Sequence, residues 1–282
     1  MKVKEIPVSL LNQVNLSWQS KENLQSNKKR IPVIVSLASI PSRLNIVHIT
    51  VRSLFNQDVL PEKIVLWLHE DLKEKIPKKL NDLVGELFII EFTDYFSSHR
   101  KLVEPLKHYP EKTIITCDDD MMYRKNWLSK LFEAHQRDPN KIIANQTRCI
   151  TYSKKGELLP YKSWKPNRSG CENQKLTLPI GAGGTLYPPN TMDLRVFDQD
   201  LFLKLAPNAD DLWFKIMGLL KGTASIQAFN SGKEPIPIWG SQKVSLKKGN
   251  IGKDKNRTQW SALTDHFQLK FKNIDRGNQQ LQ

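Results

Sequence analysis

Lys112-Thr113-Ile114-Ile115-Thr116-Cys117-Asp118-Asp119-Asp120 decides the reading of this chain. Residues 112–117 are a short β-branched and apolar run that reads as a buried strand. Three aspartates follow it without a spacer. Adjacent carboxylates repel one another, so a folded chain must compensate them with water, basic side chains or a cation. A hard divalent ion such as Mn²⁺ or Mg²⁺ takes oxygen ligands of this kind and bridges phosphates at the same time. The plainer reading is a solvated turn, or a cap for the helix that opens near Asn126.

The elements to either side give the triplet its setting. Upstream, Ile31-Pro32-Val33-Ile34-Val35-Ser36-Leu37 reads as a first strand, and Ile46, Ile49, Leu54 and Phe55 recur at helical spacing after the break at Pro41-Ser42-Arg43. Residues 63–68 form a second strand, 73–84 a polar helix, 87–92 a third strand and 102–108 a short helix. Downstream, residues 126–137 read as a helix and 141–145 as another strand. Alternation of this kind predicts an α/β fold with a mostly parallel sheet flanked by helices. Ligands of such sheets sit outside the carboxyl ends of the strands, where the aspartates fall.

Residues 1–30 are polar and read as a loosely attached leader. The remainder, 31–282, reads as one domain, with a regular half over 31–145 and an irregular half over 146–282 that contains Pro160, Pro166, Pro179, Pro188, Pro189 and a Gly181-Ala182-Gly183-Gly184 turn. Residues 209–220 restore a helical pattern. With 282 residues and 39% hydrophobic content the chain can bury a sizeable core. A net charge of +14 favours an anionic partner: nucleic acid, an acidic membrane surface or a phosphorylated small molecule.

Cys117, Cys149 and Cys171 show neither an even count nor close zinc spacing, which points to a reducing cytoplasm. Glu5 and Gln13 interrupt the first apolar run, so it does not read as a signal peptide. No stretch has the apolar length of a transmembrane helix. Membrane contact is expected to be peripheral at most, at the inner face, with Lys221, Lys243, Lys247, Lys248, Lys253, Lys255 and Arg257 as candidate groups for anionic lipid or a phosphorylated acceptor. A solvated basic surface is the competing reading of those residues.

Asp118 to Asp120, with the strand before them and Tyr123 and Trp127-Leu128 after, resemble the DxD region of GT-A glycosyltransferases. Further carriers of the resemblance are 35–43, Lys101-Leu102, Gly183-Gly184-Thr185-Leu186-Tyr187-Pro188 and Ala209-Asp210-Asp211-Leu212-Trp213-Phe214. They look most like bacterial family-two-like members that act in surface polysaccharide synthesis. The resemblance implies a GT-A, Rossmann-like fold with an irregular acceptor side. It also implies transfer of a sugar, with inversion, from a nucleotide-sugar donor to a saccharide or lipid-linked acceptor.

By the same resemblance, Ser36, Ser39, Arg43, Lys101, Asp118 and Asp119 would bind the donor, and Asp118 and Asp120 a Mn²⁺ or Mg²⁺ ion that stabilises the departing nucleotide. His266 is a candidate third metal ligand. Asp210 and Asp211 would be the catalytic pair, with Asp211 favoured as the base that deprotonates the acceptor and Asp210 contacting acceptor hydroxyls. Gly183, Gly184 and Trp213 would contact the acceptor. Each has an ordinary alternative: a connecting loop for 36–43, a solvated basic face for Lys101, helix capping for Asp210-Asp211, a hairpin turn for the glycines, core packing for Trp213 and a structural role for His266.

Two other functions fit the same residues. A Mg²⁺-dependent nucleic-acid-binding protein or nuclease would use the charge and the acidic cluster, although the basic residues are dispersed and no nucleic acid is expected as partner. A nucleotidyltransferase shares the metal chemistry, although no Gly-rich phosphate loop follows the first strand. A non-catalytic carbohydrate-binding or membrane-surface protein is the third class, and two intact acidic sites argue against it.

Overall fold

The computed structural model describes residues 5–166, 171, 173–241 and 254–271. In chain order the elements are α1 (Ile6–Trp18), α2 (Lys21–Gln25), β1 (Arg30–Ala38), α3 (Val47–Phe55), β2 (Leu60–His69), α4 (Lys78–Asn81), β3 (Phe88–Thr93), α5 (Arg100–His108), β4 (Thr113–Asp118), β5 (Met121–Met122), α6 (Trp127–Arg137), β6 (Ile142–Ala144) and β7 (Thr147–Cys149). There follow β8 (Thr177–Pro179), β9 (Thr185–Tyr187), α7 (Gln199–Leu205), α8 (Asp210–Lys221), β10 (Ser225–Gln227), β11 (Ile236–Pro237) and α9 (Lys255–His266).

A seven-stranded sheet in the order β10-β6-β9-β4-β1-β2-β3 forms the centre. β1 pairs in parallel with both β2 and β4, so the chain runs outward from β1 through β2 to β3 and then crosses back to β4. That reversal makes the gap between β1 and β4 the switch point of the sheet, where a crevice opens beyond the strand ends. The mixed α/β architecture expected from the alternation of elements is the one observed.

The side-chain alternation of a strand explains the two-sided core. Ile31, Val33, Val35 and Leu37 of β1 join Ile64, Leu66 and Leu68 of β2 on the face covered by α1, α2, α3 and α6. Ile34, Val65 and Trp67 point to the other face, under α5, α7, α8 and α9. A strand buried on both faces must be apolar along its whole length, which is why β1 and β4 read as unbroken runs.

Several expectations are corrected here. In the leader expected over 1–30, the described residues 5–30 are not loosely attached: Leu16 and Leu24 belong to the core, Arg52 Nε donates to Leu16 O at 2.6 Å, and Ser9 Oγ donates to Pro237 O at 2.7 Å. The polar helix over 73–84 is a 3-10 turn at Glu70–Lys75 followed by the four-residue α4. Pro77 keeps Ile76 extended, with ψ 117°, and so separates the two. In the irregular half, β9 is inserted antiparallel between β4 and β6, a pairing that three residues cannot announce by periodicity.

Cys149 and Cys171 are joined in a disulfide across a separation of 22 residues. The bridge Tyr152↔Leu158 folds the intervening chain back, and Arg148↔Pro166 returns it beside β7. Sequence distance concealed this proximity, and the inference from unpaired cysteines to a reducing compartment loses its basis. Cys117 is free and buried. Among the described residues, no helix is long and apolar enough to cross a membrane.

Candidate active site

β1 and β4 deliver the first half of the site. Ala38 and Asp118 are register partners at their carboxyl ends, so Ser39 and Asp119 leave the sheet side by side. Ser39 Oγ donates to Asp119 Oδ2, Arg43 Nη1 reaches Asp119 Oδ1 at 2.6 Å, and Arg43 Nη2 reaches Asp120 Oδ2 at 3.0 Å. The short 3-10 turn Pro41–Arg43 that ends the β1 loop puts the guanidinium there. Backbone bonds fix the acidic turn from below: Thr50 Oγ1 donates to Asp119 O at 2.8 Å, and Ile238 N to Asp120 O at 2.9 Å.

Lys101 joins this half to the second. It is the second residue of α5, buried, and its Nζ lies 2.9 Å from Asp118 Oδ1 and 2.7 Å from Asp210 Oδ2. Burial opposes its charge, yet Asp118, Asp210 and Asp211 together hold the ammonium well above its ordinary pKa. Asp210 and Asp211 form the first turn of α8, where the helix dipole favours carboxylates. Burial alone would raise the Asp210 carboxyl; Lys101, His99 and Ser98 outweigh it and leave the group below its ordinary value.

Asp211 behaves differently. Both its oxygens accept from Gly181 N at 3.1 Å, but burial and then the neighbouring Asp210 charge push its pKa up to about 7 despite Lys101. Asp120 also rises to about 7, first through burial and then through Asp118, against the pull of Arg43. Asp119 is raised by burial as well. The turn therefore holds more buried negative charge than its basic neighbours fully offset.

A cleft of about 170 Å³ lies between the halves, lined by Asp118, Asp210 and Asp211 together with Tyr161, Asn208 and Asn256. The two acidic motifs thus share one cavity. Among the described residues no cluster of three or more His, Cys, Asp or Glu side chains is placed to hold a metal ion. The donor chemistry still fits a hard divalent cation, because Mg²⁺ is commonly held by one or two carboxylates with the remaining positions taken by water and substrate phosphates. Asp118 and Asp120 are the two carboxylates in question.

Other expected site residues are placed elsewhere. Ser36 is fully buried and its Oγ accepts from Trp67 Nε1 at 3.0 Å, inside the core. Trp213 is fully buried, donates to Val196 O at 3.3 Å and packs on Phe202 and Phe267, so it presents no face to a ligand. His266 is exposed at the end of α9 with its ring against Phe267, and no described hydrogen bond or ion pair takes it to the acidic turn. Gly183 O accepts from Trp127 Nε1 at 2.8 Å. A Cβ on Gly184, whose φ is +90°, would meet that indole at 2.4 Å. These two glycines shape the packing around Trp127.

No protein-family model and no curated protein matches the sequence. Among solved structures, the chain is similar to 4-diphosphocytidyl-2C-methyl-D-erythritol synthase from Anaerococcus prevotii DSM 20548. The identity is 12%, over 84% of this chain and 98% of that one, with a TM-score of 0.42. It is also similar to CMP:2-keto-3-deoxy-manno-octonic acid synthetase complexed with CTP, at 13% identity over 74% of this chain and 94% of that one, again with a TM-score of 0.42. Neither is a glycosyltransferase by name, and the expectation of a metal-dependent glycosyltransferase is not borne out by these likenesses. The physical reason is that strand-end carboxylates on a Rossmann-like sheet serve the phosphates of any nucleotide, whichever bond is then broken.

Two residues in contact with the acidic groups were not singled out for this role in the sequence. Tyr123 Oη accepts from Asp118 N at 2.8 Å and donates to Ala182 O at 3.2 Å, tying the turn to the glycine loop. Gly181 sits where a Cβ would lie 2.8 Å from Asp211 Oδ1, 3.0 Å from Lys101 Nζ and 3.7 Å from Asp118 Oδ1. Its lack of a side chain is what lets the backbone N–H reach Asp211. The glycine run pointed to the loop, but nothing in its spacing distinguished Gly181 from Gly183 and Gly184.

Proposed function

We propose that this chain is a nucleotidyltransferase that uses a nucleoside triphosphate with a divalent cation. The observation that carries the reading is the single cleft shared by Asp118, Asp210 and Asp211 around the buried Lys101, at the carboxyl ends of the strands. Asp118 and Asp120 would hold the cation, Mg²⁺ or Mn²⁺. A bound cation there would neutralise charge on the triphosphate and orient it for in-line attack. Arg43 stands beside these carboxylates and would take up phosphate charge as a guanidinium, in place of a glycine-rich backbone cradle.

Asp211 is suited to the acceptor. A carboxyl with a pKa of about 7 takes a proton from an acceptor hydroxyl with useful driving force at neutral pH. The acceptor oxygen forms a bond to the α-phosphorus, the bond from that phosphorus to the bridging oxygen breaks, and pyrophosphate leaves with the electron pair. Lys101 keeps Asp210 ionised and fixes it against Asp118, which holds the cleft at one width. The surplus of positive charge on the chain complements a triphosphate.

Pyrophosphate release is the direct test, measured with each ribonucleoside triphosphate, Mg²⁺, and a panel of hydroxyl-bearing sugar acids and alcohol phosphates. The expected result is release that requires both nucleotide and cation and is lost in Asp118→Asn. Nucleoside diphosphate released from a nucleotide sugar, with no pyrophosphate from any triphosphate, overturns the proposal.

A further inference from the structure

α1 presents an apolar stripe that none of the described residues covers. Val8, Leu11, Val14 and Trp18 recur at helical spacing and are 46, 70, 52 and 87% exposed. The opposite face is pinned: Ser9 is bonded to Pro237, Leu16 is in the core, and Arg52 donates to the carbonyls of Leu16 and Gln19 at the end of the helix. The stripe therefore cannot turn inward. α1 carries no charged side chain; Asn12, Asn15 and Ser17 lie among and beside the stripe, and Leu10 is a further partly exposed apolar residue. Lys21 follows directly and Lys28, Lys29 and Arg30 follow after α2; Glu22 is the one acidic residue among them, and Arg30 is paired with Glu86 at 2.7 Å.

We propose that α1 docks on a membrane surface containing anionic lipid, with Val8, Leu11, Val14 and Trp18 inserted at the level of the headgroups. A helix lying in that plane buries one apolar face and leaves the other on the protein, and an exposed tryptophan prefers the same depth. Charge selects this occupant over a second copy of the chain. Each copy carries +14, so a self-pair would bring like charges together, whereas an anionic leaflet attracts the basic residues that follow the helix. Lys243, Lys247, Lys248 and Lys253, which the sequence suggested for such contact, lie outside the described residues, and the proposal does not use them.

The test is co-sedimentation of the full chain with phosphatidylcholine vesicles containing phosphatidylglycerol, beside pure phosphatidylcholine vesicles. The wild type should bind the mixed vesicles more tightly than the neutral ones, and added salt should weaken that binding. A Leu11→Glu/Trp18→Glu variant should bind at least about tenfold more weakly while keeping its thermal midpoint and its pyrophosphate release. Leu11→Ser alone should give an intermediate value. Equal partition to both vesicle types, or wild-type binding by the double variant, overturns the proposal. So does a dimer seen by light scattering that the double variant abolishes, which would make the stripe an interface between copies.

Discussion

Lys101→Met isolates the electrostatic joint of the site, since it keeps the length of the side chain and removes only its charge. Lys101 ion-pairs with Asp118 at 2.9 Å and with Asp210 at 2.7 Å while itself buried. Removing one partner of a buried pair costs about 3–5 kcal/mol, because the charge left behind has no compensation. The two pairs share one ammonium, and the Asp118 side chain is 31% exposed, so water screens part of its share and the costs do not double. A loss of about 4 kcal/mol is expected, which in a domain of this size lowers the thermal midpoint by roughly 10 °C.

The pH dependence of this loss gives it a signature. In the wild type the folded pKa of Asp210 lies below its unfolded value, so the group adds stability above the unfolded pKa of about 4 and loses it as pH falls through the folded one. In Lys101→Met the same carboxyl has burial without its counter-ion, and its folded pKa rises above the unfolded value. Its penalty is then full in alkaline solution and is relieved as pH falls. Urea denaturation followed by far-UV circular dichroism should therefore show a gap between the two proteins that is widest near about pH 8 and narrows near about pH 5. Equal stability at the higher pH, or a gap that widens toward acid, refutes the account of Lys101.

Asp211→Asn should separate stability from activity. With a folded pKa of about 7, ionised Asp211 destabilises the fold fully above that pH and not at all below an unfolded value of about 4. The variant should melt higher than wild type in alkaline buffer, with no difference in acid, while turnover falls at least about 100-fold. Gly181→Ala should place a methyl group 2.8 Å from Asp211 Oδ1 and 3.0 Å from Lys101 Nζ; turnover measured at saturating substrate should fall roughly tenfold to 100-fold. Reduction of Cys149–Cys171, or Cys149→Ser with Cys171→Ser, releases a loop whose ends are 22 residues apart. Urea titration should report a loss of about 3 kcal/mol.

Much of the sheet was legible because β1, β2 and β4 are buried on both faces and so carry long apolar runs, ending where the polar acidic turn begins. Helices α3, α6 and α8 showed the spacing of a single buried face. Legibility failed where a pairing is short or non-local. β9 has three residues and owes its place to β4 and β6 rather than to its own pattern. α1 is helical because Ser9, Leu16 and Arg52 fix it against distant parts of the chain, and its composition alone looked like a polar leader. The charged residues singled out in the sequence, Arg43, Lys101, Asp118 to Asp120, Asp210 and Asp211, are brought together at the strand ends, because the loops that carry them converge there. Ser36 and Trp213 were assigned to ligand because motif membership does not reveal which way a side chain points; β1 turns Ser36 to Trp67, and α8 turns Trp213 into the aromatic core.

The hydrogen bond from Ser9 to Pro237 spans 228 residues of sequence. Pro237 lies in β11, which pairs with β5 immediately after the acidic turn. During synthesis α1 is made well before β11, because the partner of Ser9 follows it by 228 residues. Contacts so distant in sequence form late, because the loop they close has lost its entropy before the contact returns anything. Until then the Ser9 end of the helix lacks its fixed partner, and the nascent chain offers an apolar, uncharged segment to chaperones or to any nearby surface. α1 is therefore held by an early contact at one end and a late one at the other: Arg52 reaches its last carbonyls from 36 and 33 residues away, and β11, which pairs beside the acidic turn, secures Ser9 afterwards.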